Sequence, residues 1–452
     1  MTSLFFYEAL LPNGWAQDVR VTINDGVIDS VAIGTRPASA DERHRIGLPG
    51  LSNLHSHAFQ RGMAGLTETC GSDRDSFWTW REVMYRFVGR MTPEDVEAVT
   101  AQAYVEMLEA GFTRVGEFHY LHHCPGGAAY GNVAELAERV AAAAQAIGIG
   151  LTLLPVFYAH AGFGGRPPEA GQRRFINDID GFARMMEASR RIVAGCEGGV
   201  VGIAPHSLRA VTPEELAAIL PLAEGGPVHI HVAEQVAEVE ASLAWSGARP
   251  VAWLLDNAPV DAAWCLIHAT EAEPEELAGI AARGAVVGLC PVTEANLGDG
   301  IFDGPSFVAA EGSYGIGSDS NVLIDAAGEL RQLEYSQRLA ARARNVMAAG
   351  STASTGRSLF EAALAGGRRA LGGDAAGLVV GAPADLISLD AGSVALAGRR
   401  GDALLDSWIF AGHTLPDCVW ARGRKRVANG RHVERETIAA RFRSTLEGLL
   451  AA

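Results

Sequence analysis

The sequence predicts an α/β protein in which a parallel (β/α)8 barrel carries a small β-sandwich domain formed by both ends of the chain. Two observations lead to this fold class. Short apolar segments alternate with alanine-rich helical segments in the centre of the chain, and hairpin patterns flank that centre on both sides. The predicted boundaries are 1–48 and 383–435 for the β domain, 49–382 for the barrel, and 436–452 for a C-terminal helix.

The two ends of the chain share a pattern of short apolar runs separated by turns. In the N-terminal segment, runs at 19–23 and 27–33 are separated by Asn24-Asp-Gly, which is typical of a hairpin turn. The C-terminal segment has comparable runs at 384–389, 418–421 and 425–433. We therefore expect both segments to form one small β domain beside the central region.

The central segment alternates between strands and capped helices. Thr92-Pro-Glu-Asp and Thr212-Pro-Glu-Glu each combine an N-cap threonine, a first-turn proline and an acidic residue at the capping-box position. The predicted barrel strands are 51–57, 113–119, 151–158, 200–205, 228–233, 264–268, 285–289 and 314–318. A doubly wound open sheet is the alternative, but no G-x-G-x-x-G turn follows the first strand.

Composition and charge exclude several classes of partner. The formal charge of −16 argues against nonspecific nucleic-acid binding, which needs a basic surface. No apolar run is long enough to cross a bilayer, and the N-terminus lacks the pattern of a secretory signal. The six cysteines are scattered without C-x-x-C spacing, as in a reduced protein. We expect a cytoplasmic protein with neither nucleic-acid nor membrane partners.

Metal-binding residue types recur at the C-terminal ends of the predicted strands, where the active sites of such barrels lie. His55 and His57 end the first strand and point to the same face, because strand side chains alternate. In the fifth strand either His229 or His231 could be a ligand, and the position of His231 nearer to the strand end favours it. The ends of the fifth, sixth and eighth strands also contribute Glu234, His268 and Asp319.

The order of these motifs resembles that of the amidohydrolase superfamily, and more closely its aminohydrolase branch of adenosine, cytosine and guanine deaminases. The matching motifs are His55-Ser-His57, His231-Val-Ala-Glu234, His268 and Ser318-Asp319, and the resemblance covers nearly the whole chain, including the split β domain. The resemblance implies a zinc ion bound by His55, His57, His231 and Asp319. It also implies that His268 and Asp319 take the proton of the attacking water and that Glu234 protonates the leaving nitrogen.

The lysine content limits the number of metal ions. Binuclear members of the superfamily usually bridge two metals through a modified lysine on the fourth strand. This chain has a single lysine, Lys425, which lies in the C-terminal β region. One zinc ion is therefore predicted, with iron as the alternative, because a nitrogen and oxygen site accepts both metals.

Polar residues after the first, second and fourth strands predict an anionic substrate. Arg81 and Arg209 each carry a guanidinium fork that matches a carboxylate, and a neutral purine would not need two of them. An acyclic dicarboxylate that carries an amidine would need two arginines, one for each carboxylate. Within the branch, this pattern is similar to the formimidoylglutamate deiminases of bacterial histidine degradation. That resemblance implies a homodimer and a substrate pocket formed by Gln60, Arg81, Tyr120, His206 and Arg209.

Three other functions remain open. A guanine- or adenosine-type deaminase, including one for S-adenosylhomocysteine or methylthioadenosine, would use the same metal site and could stack its base on Trp78 or Trp80. A metal-free barrel scaffold is less favoured, because every expected ligand is present. Binuclear manganese enzymes of the arginase type release formamide from the same substrate, but their aspartate-rich motifs are not found. The roles of His119 and His229 stay open.

Overall fold

The computed structural model describes residues 1–69, 77–348, 354–373, 377–412 and 415–451. Its N-terminal strands are β1 (Thr2–Leu11), β2 (Gly14–Asn24), β3 (Val27–Ala32) and β4 (Glu42–Pro49). The central strands are β5 (Leu51–Ser56), β6 (Phe112–His119), β7 (Gly150–Phe157), β8 (Val200–Val201), β9 (Ala204–Pro205), β10 (Val228–Val232), β11 (Trp264–His268), β12 (Val286–Leu289) and β13 (Ser313–Ile316). The C-terminal strands are β14 (Leu386–Leu389), β15 (Pro416–Ala421), β16 (Arg424–Ala428) and β17 (Arg431–His432).

The helices lie between and after these strands. They are α1 (Phe77–Val88), α2 (Pro93–Ala110), α3 (Glu135–Ile147), α4 (Ile179–Val193), α5 (Pro213–Ile219), α6 (Val236–Ser246), α7 (Pro250–Asn257), α8 (Pro274–Arg283), α9 (Pro291–Leu297), α10 (Gly304–Ala309), α11 (Ala326–Ala341), α12 (Thr355–Ala370), α13 (Asp402–Phe410) and α14 (Arg435–Ala451). Short 3-10 turns occupy Ala58–Met63, Ala170–Gln172, Leu220–Ala223 and Val394–Leu396. The predicted capping boxes at Thr92 and Thr212 are both formed.

The central strands form the predicted parallel barrel. Two parallel groups, β5–β8 and β10–β13, account for its wall, and β9 continues the fourth strand position beside β7. The bridge between Ile203 and Val228 joins the groups on one side, and the bridge between Ser56 and Asp319 joins them on the other. The fourth strand is divided at Gly202, where an added Cβ would lie 2.4 Å from the carbonyl oxygen of Pro227. The absent side chain of Gly202 therefore lets the backbone pass close to Pro227 between β8 and β9.

The seam between the first and eighth strand positions depends on a glycine. A Cβ added to Gly317 would lie 2.7 Å from the carbonyl oxygen of His55, which is closer than real Cβ contacts allow. The absent side chain lets the chain after β13 approach β5. The backbone N–H of Asp319 then donates to the His55 carbonyl at 3.0 Å, and the His57 N–H donates to the Asp319 carbonyl at 2.9 Å.

The ends of the chain form the predicted β domain as one continuous sheet. Its eight strands are ordered β17-β16-β15-β14-β4-β1-β2-β3. Two strands, β4 and β14, lie between β1 and β15, yet the rings of Phe6 and Trp420 are only 6.4 Å apart. Because neighbouring strands are about 4.8 Å apart, a flat sheet could not bring these rings together. The sheet is therefore curled around its own apolar core, as a sandwich would be.

One helix within the C-terminal segment was not predicted. Helix α13 lies between β14 and β15 and packs on the outer helix α12. The Asp406 carboxylate accepts the Ser354 hydroxyl and the Gly356 N–H, both at 2.8 Å, at the start of α12. After the β domain, α14 packs against α2. Among the described helices, none combines the length and the apolar character needed to cross a bilayer.

Candidate active site

Three histidines and one aspartate converge at the C-terminal end of the barrel. The Nε2 atoms of His55 and His57 lie 3.3 Å and 3.2 Å from Oδ1 of Asp319. Nε2 of His231 lies 3.0 Å from Nε2 of His55. One potential ligand atom from each of the four residues lies within 4.8 Å of the others, and all four side chains are buried. The four residues that were predicted as metal ligands are therefore together.

The hydrogen bonds of the rings make this cluster suitable for a cation. Nδ1 of His57 donates to the Phe118 carbonyl at 2.9 Å, and Nδ1 of His231 donates to the His206 carbonyl at 3.0 Å. A carbonyl only accepts, so each neutral ring carries its proton on Nδ1 and directs the Nε2 lone pair into the cluster. Lone pairs that converge beside a buried carboxylate repel one another unless a cation lies between them. The donor set of three imidazoles and one carboxylate suits a divalent metal such as zinc.

Asp319 is held by the seam of the barrel. Its backbone has a φ of +44°, an unusual conformation for a residue other than glycine. The neighbouring Ser318 receives a hydrogen bond from Asn53 Nδ2 at 2.6 Å and donates its own hydroxyl to Asn321 at 2.6 Å. Burial would raise the pKa of Asp319, but the contacts of its carboxylate with His55 and His57 outweigh burial and hold that pKa well below its usual range.

Glu234 and His268 face the same cluster. Nε2 of His268 lies 3.8 Å from Oε1 of Glu234 and 4.0 Å from Oδ2 of Asp319. Burial would lower the pKa of His268, but the neighbouring carboxylates, Glu234 foremost, raise it to about 10. Burial also raises the pKa of Glu234 above its ordinary value, although His268 and Arg209 oppose this effect. Two groups that can exchange protons thus lie beside the candidate metal site.

Two acidic residues of this region were missed by the sequence analysis. Glu294, in α9, places Oε1 3.2 Å from Nδ1 of His268. Glu238, in α6, accepts the backbone N–H groups of Ala233 and Glu234, both at 3.2 Å. Each lies within the first turns of a helix that follows a barrel strand, where an acidic side chain is usually explained as a favourable interaction with the helix N-terminus. Their position in that turn was the available signal.

The five predicted substrate-binding residues line one cleft above the cluster, with about 690 Å³ of space including its opening to solvent. Gln60 Nε2 donates to the Tyr120 hydroxyl at 2.7 Å, and the ring of His206 lies 5.7 Å from that of Tyr120. The Arg209 guanidinium lies 4.0 Å from Glu234. Arg81 also lines the cleft, with its guanidinium 3.9 Å from the Glu169 carboxylate. Trp80 also lines this cleft, whereas Ser76 and the side chain of Trp78 fall outside the described residues.

The remaining histidines of interest lie outside the ligand cluster. His229 Nε2 donates to the Ala370 carbonyl at 2.7 Å inside the barrel. His119 is buried, with its ring 5.5 Å from that of His122. Both rings are neutral, since burial lowers the pKa of His229 to about 4 and that of His119 to about 3. Lys425 lies in the β domain, where it pairs with Glu42, and not in the barrel.

Comparison with protein families matches two models to the chain. The Amidohydrolase family matches residues 46–425. The N-terminal domain of formimidoylglutamate deiminase HutF matches residues 1–45. The two matches together extend from the β domain through the whole barrel.

Curated relatives include deaminases of more than one kind. Formimidoylglutamate deiminase from Pseudomonas aeruginosa is 51% identical over 458 residues, covering 100% of both chains. A 5-methylthioadenosine/S-adenosylhomocysteine deaminase from Natronomonas pharaonis is 29% identical and covers 85% of this chain and 82% of its own. Full-length similarity is therefore much stronger to the first relative.

Solved structures share the fold over the whole length. An amidohydrolase from Brucella melitensis is 56% identical, with a TM-score of 0.97 and 100% of each chain covered. An adenosine deaminase from Xanthomonas campestris with bound zinc is 24% identical, with a TM-score of 0.83 over 100% of this chain and 99% of its own. The chain therefore belongs to the amidohydrolase family of metal-dependent C–N hydrolases and, within that family, to the group of formimidoylglutamate deiminases.

Proposed function

We propose that the chain hydrolyses N-formimidoyl-L-glutamate to N-formyl-L-glutamate and ammonia, as a step of cytoplasmic histidine degradation. The observation that carries this proposal is the shared cleft, in which the His–Asp cluster, Glu234 and His268 lie beside Arg81 and Arg209. The substrate has an amidine-type C=N group and two carboxylates. A hydrolytic centre beside two guanidinium groups suits both parts of that molecule.

We propose one zinc ion per subunit, with iron as the alternative, held by His55, His57, His231 and Asp319. When bound there, such an ion would lower the pKa of a water molecule towards neutrality. The positive charge of an ion held there would oppose the carboxylates that raise the pKa of His268. His268 and Asp319 would then accept the proton of the attacking water, a role supported by the 4.0 Å between Nε2 and Oδ2. Glu234, 3.8 Å from His268, delivers a proton to the leaving nitrogen. Ammonia then departs instead of an amide anion.

The substrate contacts follow from the donors of the cleft. Arg81 and Arg209 bind the two carboxylates. The Tyr120 oxygen already accepts a hydrogen bond from Gln60, so its own O–H can donate to the substrate. Gln60 and His206 complete the pocket wall. Because arginine binds carboxylates through two parallel N–H bonds, this arrangement favours an acyclic dicarboxylate over a neutral base.

The decisive experiment measures ammonia release and product masses for a panel of substrates. The panel contains formimidoylglutamate, guanine, S-adenosylhomocysteine and methylthioadenosine. We expect ammonia and N-formylglutamate from the first compound, with little turnover of the others. A purine deaminase is the main rival, because Trp80 and several tyrosines also line the cleft. Turnover of a purine with formimidoylglutamate left intact would refute the proposal, and release of formamide would refute the deaminase chemistry.

Metal analysis separates the enzyme from a metal-free scaffold. Purified protein should contain about one equivalent of zinc or iron per chain, and chelation should remove activity that added metal restores. Less than about half an equivalent, with no activity after reconstitution, would instead support the scaffold. We also propose a homodimer, which a mass measurement in solution would test.

A further inference from the structure

A second buried glutamate contacts both the candidate proton donor and a candidate substrate-binding arginine. The side chain of Glu238 is 0% exposed. Its Oε1 accepts the Ala233 N–H and its Oε2 accepts the Glu234 N–H, both at 3.2 Å. Oε2 also lies 3.9 Å from the Arg209 guanidinium. One carboxylate therefore joins the turn after β10 to the loop after β9.

The backbone contacts of Glu238 fix the conformation of the chain at Ala233 and Glu234. Ala233 has a φ of +52°, a left-handed conformation that costs free energy for a residue with a Cβ. The two N–H bonds to Glu238 stabilise this turn. Since Glu234 follows Ala233 directly, they also determine the direction in which its side chain leaves the backbone.

The negative charges of Glu234 and Glu238 both act on the guanidinium of Arg209. The same guanidinium nitrogen, Nη2, lies 3.9 Å from Oε2 of Glu238 and 4.0 Å from Oε2 of Glu234, so two buried carboxylates share it. Burial would lower the pKa of Arg209, but Glu238 first and Glu234 second raise it. A buried cation beside a single carboxylate would form a close pair with it. Because Glu238 lies at nearly the same distance, Arg209 does not pair with Glu234 alone.

We propose that Glu238 is a positioning residue that acts through Arg209: it keeps the guanidinium from pairing closely with Glu234, so that Glu234 remains able to carry a proton and Arg209 remains directed at substrate. This inference rests on the proposed function. If the charge of Glu238 is removed, the contact of Arg209 with Glu234, the proposed proton carrier, is no longer balanced by the contact with Glu238. Turnover should then fall although no group that touches substrate has changed.

A simpler role has to be distinguished from this one. Glu238 is the third residue of α6 and could serve only to cap the helix, which is typically worth about 1 kcal/mol of stability. A cap alone would alter the melting temperature but not the dependence of turnover on Arg209. Asp95 provides a matched control, because it occupies the same position in the capping box of α2, away from the cleft.

The experiment is a double-mutant cycle on the full chain with its metal, using E238Q, R209M and the double variant. Glutamine keeps the shape and one acceptor oxygen but removes the charge. We expect E238Q to lower kcat by about tenfold or more, with metal content unchanged. In the R209M background, the same substitution should change kcat by less than about twofold, because the cation that would trap Glu234 is gone. D95N should leave kcat and KM unchanged.

Two results would overturn the inference. One is an E238Q enzyme whose kcat equals that of the unmodified enzyme. The other is an equal loss of kcat in both backgrounds, which would assign Glu238 to the turn and the helix cap alone. The unmodified enzyme is assayed in the same series. Its failure to act on formimidoylglutamate would refute the proposed function, whereas normal activity with an additive cycle would refute only the role of Glu238.

Discussion

Nδ1 of His268 lies 3.2 Å from Oε1 of Glu294, and that same oxygen accepts the backbone N–H of Cys290 at 2.8 Å. Both side chains are buried. The Cys290 N–H is fixed by the start of α9, so the carboxylate is fixed as well. Because a carboxylate accepts, Nδ1 of the ring holds a proton, and Nε2 is directed towards Glu234 and Asp319. The helix after the seventh barrel position thus orients the imidazole of His268 at the end of the sixth.

Removal of Glu294 should impair turnover more than binding. We expect E294A to lower kcat roughly 10- to 100-fold, as is usual when the partner of a site histidine is lost, with KM changed little. E294Q should lose less, because its amide oxygen still accepts from both partners. Steady-state kinetics and metal content of both variants test this. Equal losses in the two variants would show that the negative charge, and not the orientation of the ring, is what matters.

Replacement of Glu234 by glutamine should abolish turnover and leave the metal bound. A glutamine has nearly the same shape but cannot carry a proton to the leaving nitrogen. The loss expected for a general acid is about 10²- to 10⁴-fold in kcat. Kinetics and metal analysis of E234Q check this. An enzyme that remains active within about tenfold would remove Glu234 from the proton pathway.

The R209M variant should mainly weaken substrate binding. Hydrogen bonds to a charged group contribute about 1.5–3 kcal/mol, so kcat/KM should fall roughly 10- to 100-fold, chiefly through KM. R191M is the control, because Arg191 is an exposed arginine paired with Glu187 on α4. An unchanged kcat/KM in R209M would place the substrate carboxylates elsewhere.

The buried His119 should contribute to acid sensitivity. Burial lowers its pKa in the folded protein to about 3, whereas the unfolded chain has an ordinary value of 6.5. Between these values the unfolded state binds more protons, so stability falls as the pH falls from about 6.5, by up to about 1.4 kcal/mol per pH unit. H119L cannot titrate. Its unfolding free energy should decline less steeply between pH 6.5 and pH 5 in urea titrations; parallel curves would contradict this.

Much of the fold could be predicted because it depends on local patterns. Apolar segments, capping boxes and hairpin turns each determine their own element, and all eight barrel strands lie near their predicted positions. The division of the fourth strand into β8 and β9 could not be predicted, and the close approach of Gly202 to Pro227 at that point is a tertiary contact. Helix α13 was also missed. It lies between two strands of a β domain, and its packing on α12 is a tertiary interaction.

In the candidate site, too, some residues could be predicted from local patterns and others depend on tertiary contacts. The four potential ligands could be predicted, because a strand end fixes both the position and the face of a side chain. Glu238 and Glu294 could not be predicted as site residues, because an acidic residue in the first turn of a helix can face either solvent or a neighbouring strand. The E234Q, E294A and R209M variants test the roles assigned to these residues.

The seam of the barrel adds a mechanical consequence. The potential ligands come from both groups of strands, His55 and His57 from the first and His231 and Asp319 from the second. An ion held by all four would crosslink the two groups of strands at the C-terminal end of the barrel. This crosslink would lie next to the backbone hydrogen bonds that join Asp319 to His55 and His57. Loss of the ion would first destabilise the contact between these two groups of strands. The rate of amide hydrogen exchange should therefore rise along the seam before it rises in the other barrel strands.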